Sequence, residues 1–161
     1  MKSVDDVIRE IEDAFLGVPL GQLTLHEADL MDSYGATEAQ RKAARDRDPE
    51  RDWRAVPDAS LRECDYALSY LDPVSWRFYL PAFMRCGLRD SSGSAHVIYS
   101  LDPAGIRQRE RSTEERFHSL NDSQVQAVCA FLRFASENGE SYDDVAAGEA
   151  LDDYWRERGG V

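Results

Sequence analysis

The stretch "LDPVSWRFYLPAFM", residues 71–84, is the densest apolar run of the chain, and it carries a proline where a helix would be continuing. Asp72 followed by Pro73 reads as a helix start. The carboxylate caps free backbone N–H groups, and a proline at the first helical position loses nothing by lacking its own. Behind it, Val74, Trp76, Phe78, Tyr79, Leu80, Ala82, Phe83 and Met84 point in almost every direction around a helix. A helix that is apolar all round is buried all round, so other helices must wrap it. Pro81 cannot donate to the carbonyl of Arg77 and its ring presses on that turn, so a kink or a restart is expected there.

Other segments supply the wrapping. Ser3 with Asp6 makes a capping box, and Val4, Val7, Ile8, Ile11 and Phe15 then recur on one helical face until Gly17 and Pro19 stop it. Thr24 with Glu27 starts a second helix with Leu25, Ala28 and Met31 as its apolar positions, ending near Gly35. From Asp58 a third carries Leu61, Cys64, Ala67, Leu68 and Leu71 as one stripe. After Ser119 or Asn121, the residues Val125, Ala127, Val128, Cys129, Phe131, Leu132 and Phe134 span more than half a circumference, so this helix too is largely buried; Asn138-Gly139 ends it. Ser141 with Asp144 caps a last helix, which buries Ala147, Ala150, Leu151, Tyr154 and Trp155 and ends in Arg156 and Arg158, as suits a helix C-terminus. The segment His96–Leu101 fits either a short strand or a two-turn helix capped by Ser94. With no second strand to pair with, helix is favoured.

Two segments lack an apolar face. Residues 36–56 are nearly all charged or alanine. They read as a solvated helix with a Glu38–Lys42 pair, or as a mobile loop, broken at Pro49 and anchored by Trp53 and Val56. Residues 104–116 are polar, arginine-rich and structureless by pattern. The expected architecture is all-α: residues 1–161 as a single-domain bundle of about six helices around two largely buried central ones.

The pieces "LDPVSWRFYLPAFM", "RFHSLNDSQVQAVCAFLRF" and "ALDDYW", in that order, resemble a bacterial domain family of unknown function across roughly residues 66–155. Its core has the form L-x-P, then R-[FY]-Y-L-P-A, then R-F…L…Q…A-V…F-L, often with a terminal Y-W. The resemblance implies a helical fold and a bacterial origin. It carries over no catalytic residues.

Charge says more about partners than any motif does. The net charge is −12, spread as −6 over residues 1–35, zero over 36–121 and −6 over 122–161. Acidic ends repel a phosphate backbone and attract a basic protein surface, although solubility is the ordinary reason for acidity. No nucleic-acid partner is expected. The apolar runs are too short for a membrane span and the N-terminus lacks a signal-peptide core, so a cytoplasmic protein is expected. Cys64, Cys86 and Cys129 form neither a disulfide framework nor a zinc motif and read as reduced core residues.

No phosphate-binding glycine loop and no nucleophile elbow is present, and no cofactor is expected. "HEADLMD" offers His26, Glu27, Asp29 and Asp32, but these face different directions on a helix, so no metal is expected there. Arg107, Arg109, Arg111 and Arg116 could bind an anion, but Glu110, Glu114 and Glu115 neutralise them. Two functional readings remain. One is a non-catalytic acidic module that binds a basic protein, of which an immunity-type toxin inhibitor is the most concrete form. Its contact residues would be Glu149, Asp152 and Asp153 at one end and Glu10 and Asp13 at the other. The alternative is an enzyme or small-molecule binder with an aromatic pocket near Pro81, lined by Trp76, Tyr79 and Phe83, with Cys86 paired to His96 or His118.

Overall fold

The computed structural model describes residues 1–31, 33, 35–90, 94–138 and 142–161, the side chains of Ser94 and Tyr142 excepted. Asp72 caps helix α5 (Pro73–Arg89) as its sequence implies: its carboxylate accepts from the Ser75 backbone N–H, with Pro73 in the first turn. Every residue from Phe78 to Gly87 is buried, as are Ser75 and Trp76. Burying each such large apolar side chain contributes about 1.5–3 kcal/mol relative to exposure. The helix does not restart at Pro81, as one alternative required; it runs unbroken from Pro73 to Arg89 with the proline inside it. Packing on all sides holds both halves in register and offsets the hydrogen bond that proline removes.

Two of the three arginines of this greasy helix, Arg77 and Arg85, bond to neighbouring segments, and the third, Arg89, faces Asp58 at its C-terminus. Arg77 donates to the Ser119 carbonyl (3.2 Å). Arg85, buried, donates to Glu12 and to the Arg54 carbonyl and lies over the Trp53 ring, 5.0 Å from its centre. Trp53 in turn donates to the Phe15 carbonyl (3.0 Å), so the end of the charged segment is anchored as expected.

The second central element is α9 (Asp122–Asn138). Asn121, rather than Ser119, starts it: its side chain accepts from the Gln124 N–H while Gln124 accepts from the Asn121 N–H. Helix α1 (Val4–Ala14) begins with the Ser3–Asp6 capping box and sinks Val7, Ile11 and Phe15 into the space between α5 and α9. The C-terminal helix also lies against α9. It runs as α10 (Tyr142–Ala150), passes through one wider π turn (Leu151–Trp155) and ends as α11 (Arg156–Gly159). Trp155 is fully buried there, donating to the Leu101 carbonyl (2.8 Å) while its own carbonyl accepts from the Cys129 thiol (3.1 Å). The Ser141 cap and Gly139 stop lie outside the described residues.

The remaining pieces are shorter than the periodicity suggests. Helix α2 (Leu25–Leu30) has its Thr24–Glu27 capping box but ends well before Gly35, and Met31 is exposed rather than packed. Helix α4 (Asp58–Glu63) stops where Cys64 leaves helical geometry. The chain then makes a 3₁₀ turn at Ala67–Ser69, and Leu61, Cys64, Ala67, Leu68 and Leu71 are still all buried. Of the two readings of residues 36–56, the helix is correct: α3 (Glu38–Asp46) has a Thr37–Gln40 capping box, and Lys42 pairs with Asp46 rather than Glu38. Helix α6 (Ser94–Ser100) settles the strand question.

Residues 104–116 are not structureless. They form α7 (Ala104–Arg107) and most of α8 (Arg111–His118), joined at Arg109, whose φ is 58°. Long-range bonds hold them: the Arg116 guanidinium donates to the Ser69 and Leu71 carbonyls, and Phe117 packs among Trp76, Tyr154 and Trp155. The described residues contain no strand, and the all-α single-domain reading stands, with these extra short helices added. Among them, no helix is long and apolar enough to cross a membrane.

Candidate functional site

Helix α6 is amphipathic. Val97, Ile98 and Leu101 anchor it in the core, and Tyr99 is left 73% exposed. The break after α4 turns Tyr66 outward as well, 59% exposed. These are unusual places for aromatic rings in a chain whose three tryptophans are fully buried. Between them opens a cleft of about 480 Å³, whose lining includes Tyr66, His96, Tyr99, Asp102, Arg107, Asp143, Glu149 and Asp153. Its walls are α6, the start of α7, α10 and the π turn.

The ionisable groups of the cleft are unequally matched. Arg107 reaches Asp153 at 3.2 Å. His96 pairs with Asp65 at 3.1 Å and packs edge-on against Tyr66, with ring centres 4.5 Å apart. Asp102 uses one oxygen on the Ala104 N–H, starting α7. Asp143 and Glu149 make no ion pair with any described residue. Four carboxylates thus face one guanidinium, and the cleft is an anionic hollow with aromatic sides.

Of the acidic residues singled out in the sequence, Glu149 and Asp153 lie in this cleft, whereas Asp152 points away and pairs with Arg156 (2.8 Å). Glu10 and Asp13 line a second hollow of about 410 Å³ at the junction of α1 and α9, together with Asp6, Arg9, Ser123 and Gln126. Glu10 is paired with Lys2 there. Sequence reasoning missed Tyr66, Tyr99 and Asp102. Tyr99 could have been found as the one large aromatic on the polar side of a short amphipathic helix.

The aromatic residues near Pro81 have a different setting. Trp76, Tyr79, Phe83 and Cys86 are each at most 4% exposed and belong to the continuous core. The Trp76 indole donates to Ser100 Oγ (3.0 Å), and the Tyr79 hydroxyl accepts from the Leu25 N–H (3.2 Å). Burial, then the nearby Asp58, pushes the Cys86 thiol up, away from the thiolate form a nucleophile requires. His96 is committed to Asp65 and Tyr66, and His118 is exposed on α8.

The "HEADLMD" segment separates as expected of a helix, but His26 is not a solvated residue. It is buried, with Nδ1 2.6 Å from Asp48 Oδ1 and its backbone N–H donated to Asp48 Oδ2 (2.8 Å). Its Nε2 faces Glu63 at 3.5 Å, and Glu63 is held by Arg47. Asp48 is 22 residues from His26, so no local spacing announces the pair. Glu27 is also buried, accepting from Thr24. Asp32 lies outside the described residues, and among those described no group of three or more His, Cys, Asp or Glu is arranged to hold a metal ion. The arginines of 104–116 do not converge on an anion site. Arg107 serves the cleft, Arg111 pairs with Glu115 (2.6 Å), Arg109 forms the turn and Arg116 is structural.

No curated protein matches this chain, and no solved structure does. A family description does match, over residues 3–159, well beyond the 66–155 that carried the sequence resemblance. The chain belongs to that family, a family of unknown function (DUF6714).

Proposed function

We propose that this protein is a non-catalytic interaction module whose acidic surface captures a protein partner with a basic surface, in the manner of an immunity-type inhibitor covering a basic toxin. One observation carries the reading. The two acidic ends of the chain, far apart in sequence, pack on the same helix: α1 and the C-terminal α10–α11 segment both lie against α9. Five carboxylates of α1 (Asp5, Asp6, Glu10, Glu12, Asp13) and six of residues 142–161 (Asp143, Asp144, Glu149, Asp152, Asp153, Glu157) are thereby gathered around one element. Such a field accelerates encounter with a cationic surface and rejects anionic ones, which argues against nucleic acid and anionic lipid.

The test is affinity capture from the native cell at low and high salt, beside a variant carrying Glu10→Gln, Asp13→Asn, Glu149→Gln and Asp153→Asn. The expected partner is basic, is released as salt rises because the Debye length contracts to about 3 Å at 1 M, and is lost by the variant. Its activity is expected to be inhibited in the complex. Salt-insensitive capture, an acidic partner, or undiminished capture by the variant refutes the reading. A gene encoding a toxin beside this one would support it, and a metabolic operon would count against it.

A further inference from the structure

The cleft between α6 and α10 allows a narrower statement about what the partner presents. Its occupant must suit two observations that are independent of each other. Tyr66 and Tyr99 remain exposed at a concave site while the other large aromatics of the described chain are buried or half-buried. The carboxylates of Asp143 and Glu149, in the same cleft, make no ion pair with any described residue, the cleft's own Arg107 being paired with Asp153. Exposed tyrosine rings recruit flat or cationic groups through their faces, and unpaired carboxylates recruit hydrogen-bond donors of positive charge. Arginine meets both demands with one group, because its guanidinium is planar, stacks on aromatic rings and donates in a fork that matches a carboxylate. Lysine, a strongly hydrated point charge, meets only the second. The cleft already accommodates one guanidinium, that of Arg107 on Asp153.

We propose that this cleft is an arginine socket: it receives an arginine side chain of the basic partner, with Tyr66 and Tyr99 against the guanidinium and Asp143 and Glu149 as its carboxylates. The inference rests on the proposed function and deepens it by naming the anchoring residue type. Tyrosine and arginine are also the residues most often found at the energetic centres of protein interfaces. The resident Arg107 competes for the same carboxylate field, so the socket is held below its full affinity by the chain itself.

The probes are N-acetyl-arginine amide, its neutral isostere N-acetyl-citrulline amide and N-acetyl-lysine amide, titrated at low salt into the full chain while NMR signals of Tyr66, His96 and Tyr99 are followed. Arginine is expected to shift these signals saturably, with citrulline at least about tenfold weaker and lysine several-fold weaker. Tyr99→Ala is expected to weaken arginine binding about two- to fivefold, the scale of an exposed cation–π contact. Glu149→Gln, at an exposed helix position that folding does not need, is expected to weaken it by a similar factor, and Glu38→Gln, exposed on α3 and outside the cleft, to leave it unchanged. Arg107→Gln is expected to tighten it about two- to fivefold by removing the resident cation. Unmoved signals, citrulline or lysine binding as well as arginine, or looser binding by Arg107→Gln overturns the socket. If a basic partner is captured in a salt-sensitive way while arginine leaves the cleft silent, the socket falls and the acidic-surface reading stands. Arginine binding without any basic partner supports the socket and removes the proposed function.

Discussion

Asp72 ties the central helix to the loop before α2, and truncating it to alanine should cost more than an ordinary helix cap. One carboxylate oxygen accepts from the Ser75 N–H at 3.2 Å, closing the first turn of α5; the other accepts from the Leu23 N–H at 3.0 Å, across 49 residues of chain. Ser75 reinforces the same junction by accepting from the Gly21 N–H (3.0 Å), and a Cβ at Gly21 would overlap the Asp72 carboxylate, so the strands of chain are in close contact. Losing an N-cap costs about 1 kcal/mol, and leaving a part-buried N–H without its charged acceptor costs about 1.5–3 kcal/mol. Asp72→Ala is therefore expected to destabilise the fold by about 3 kcal/mol, a fall in Tm of about 6–12 °C at this chain length. Asp72→Asn offers one oxygen for two donors and should lose roughly half of that. Burial acts to raise the Asp72 carboxyl, but the hydrogen bonds from Leu23, Ser75 and Gln22 outweigh it and hold the group below its ordinary value. A lowered folded-state pKa means the stabilisation is complete above the unfolded aspartate pKa of about 3.9 and disappears as pH falls through the folded one. The gap between wild type and Asp72→Asn should accordingly be full at pH 7 and narrow in acid. Urea unfolding followed by tryptophan fluorescence at pH 7 and at acid pH measures both. Should Asp72→Ala unfold within about 0.5 kcal/mol of wild type, or the Asn gap stay constant with pH, the two-bond account is wrong.

The buried thiols and the His26–Asp48 pair give two more expectations. Burial, with Asp29, Glu63 and Asp48 nearby, pushes the Cys64 thiol up to about 12, and burial also raises Cys86 and Cys129. Ellman's reagent at pH 8 should thus label none of the three cysteines in the native protein and all three in denaturant; prompt native labelling would refute their inertness. His26→Ala strips the Asp48 carboxylate of the ring nitrogen 2.6 Å away while leaving it buried, at an expected cost of about 3 kcal/mol. A double-mutant cycle with Asp48→Ala checks this, since additive losses would mean that the two side chains do not interact.

What could be read in advance was whatever a few neighbouring residues decide. The capping boxes at Ser3 and Thr24, the Asp72-Pro73 start and the all-round apolarity of Phe78–Met84 are local signals, and each reappears in the fold. The Thr37–Gln40 box has the same local signature and shows that a cap can define a helix whose only buried residue is Ala44. Helices α7 and α8 were illegible for the opposite reason. Neither has a side-chain bond from its own N-cap residue or an apolar stripe, and α8 is held because Arg116 and Phe117 find partners on α5, the preceding turn and the C-terminal segment. The π turn at Leu151–Trp155 belongs with them, since one sequence pattern serves α and π turns alike. The cleft was half visible: its carboxylates could be named from charge and Tyr99 from the polar side of α6, but Tyr66 depends on the break after α4, which no spacing announces.

The packing itself argues for where activity must lie. Pro81 sits in a helix surrounded on all sides, Arg77 and Arg85 spend their guanidinium groups on neighbouring carbonyls and Glu12, and the three thiols are raised by burial. Groups so committed serve the fold. Freedom to recruit a partner is left to side chains that the core does not use, and these are unevenly distributed. The neutral middle of the chain pairs its own charges, as in Lys42–Asp46, Arg47–Glu63 and Arg54–Asp52, whereas the ends carry an acidic excess that their own bases cannot cancel. Folding both ends onto α9 adds like-charge repulsion that a neutral surface would avoid. A π turn on the wall of the cleft, a kind of turn that recurs at functional sites, buries Leu151 and Trp155 while exposing Asp152 and Asp153 between them. The fold thus accepts repulsion and an irregular helix at the same place where it leaves two tyrosine rings in water, and a surface that recruits a cation is the reading under which all three features serve one end.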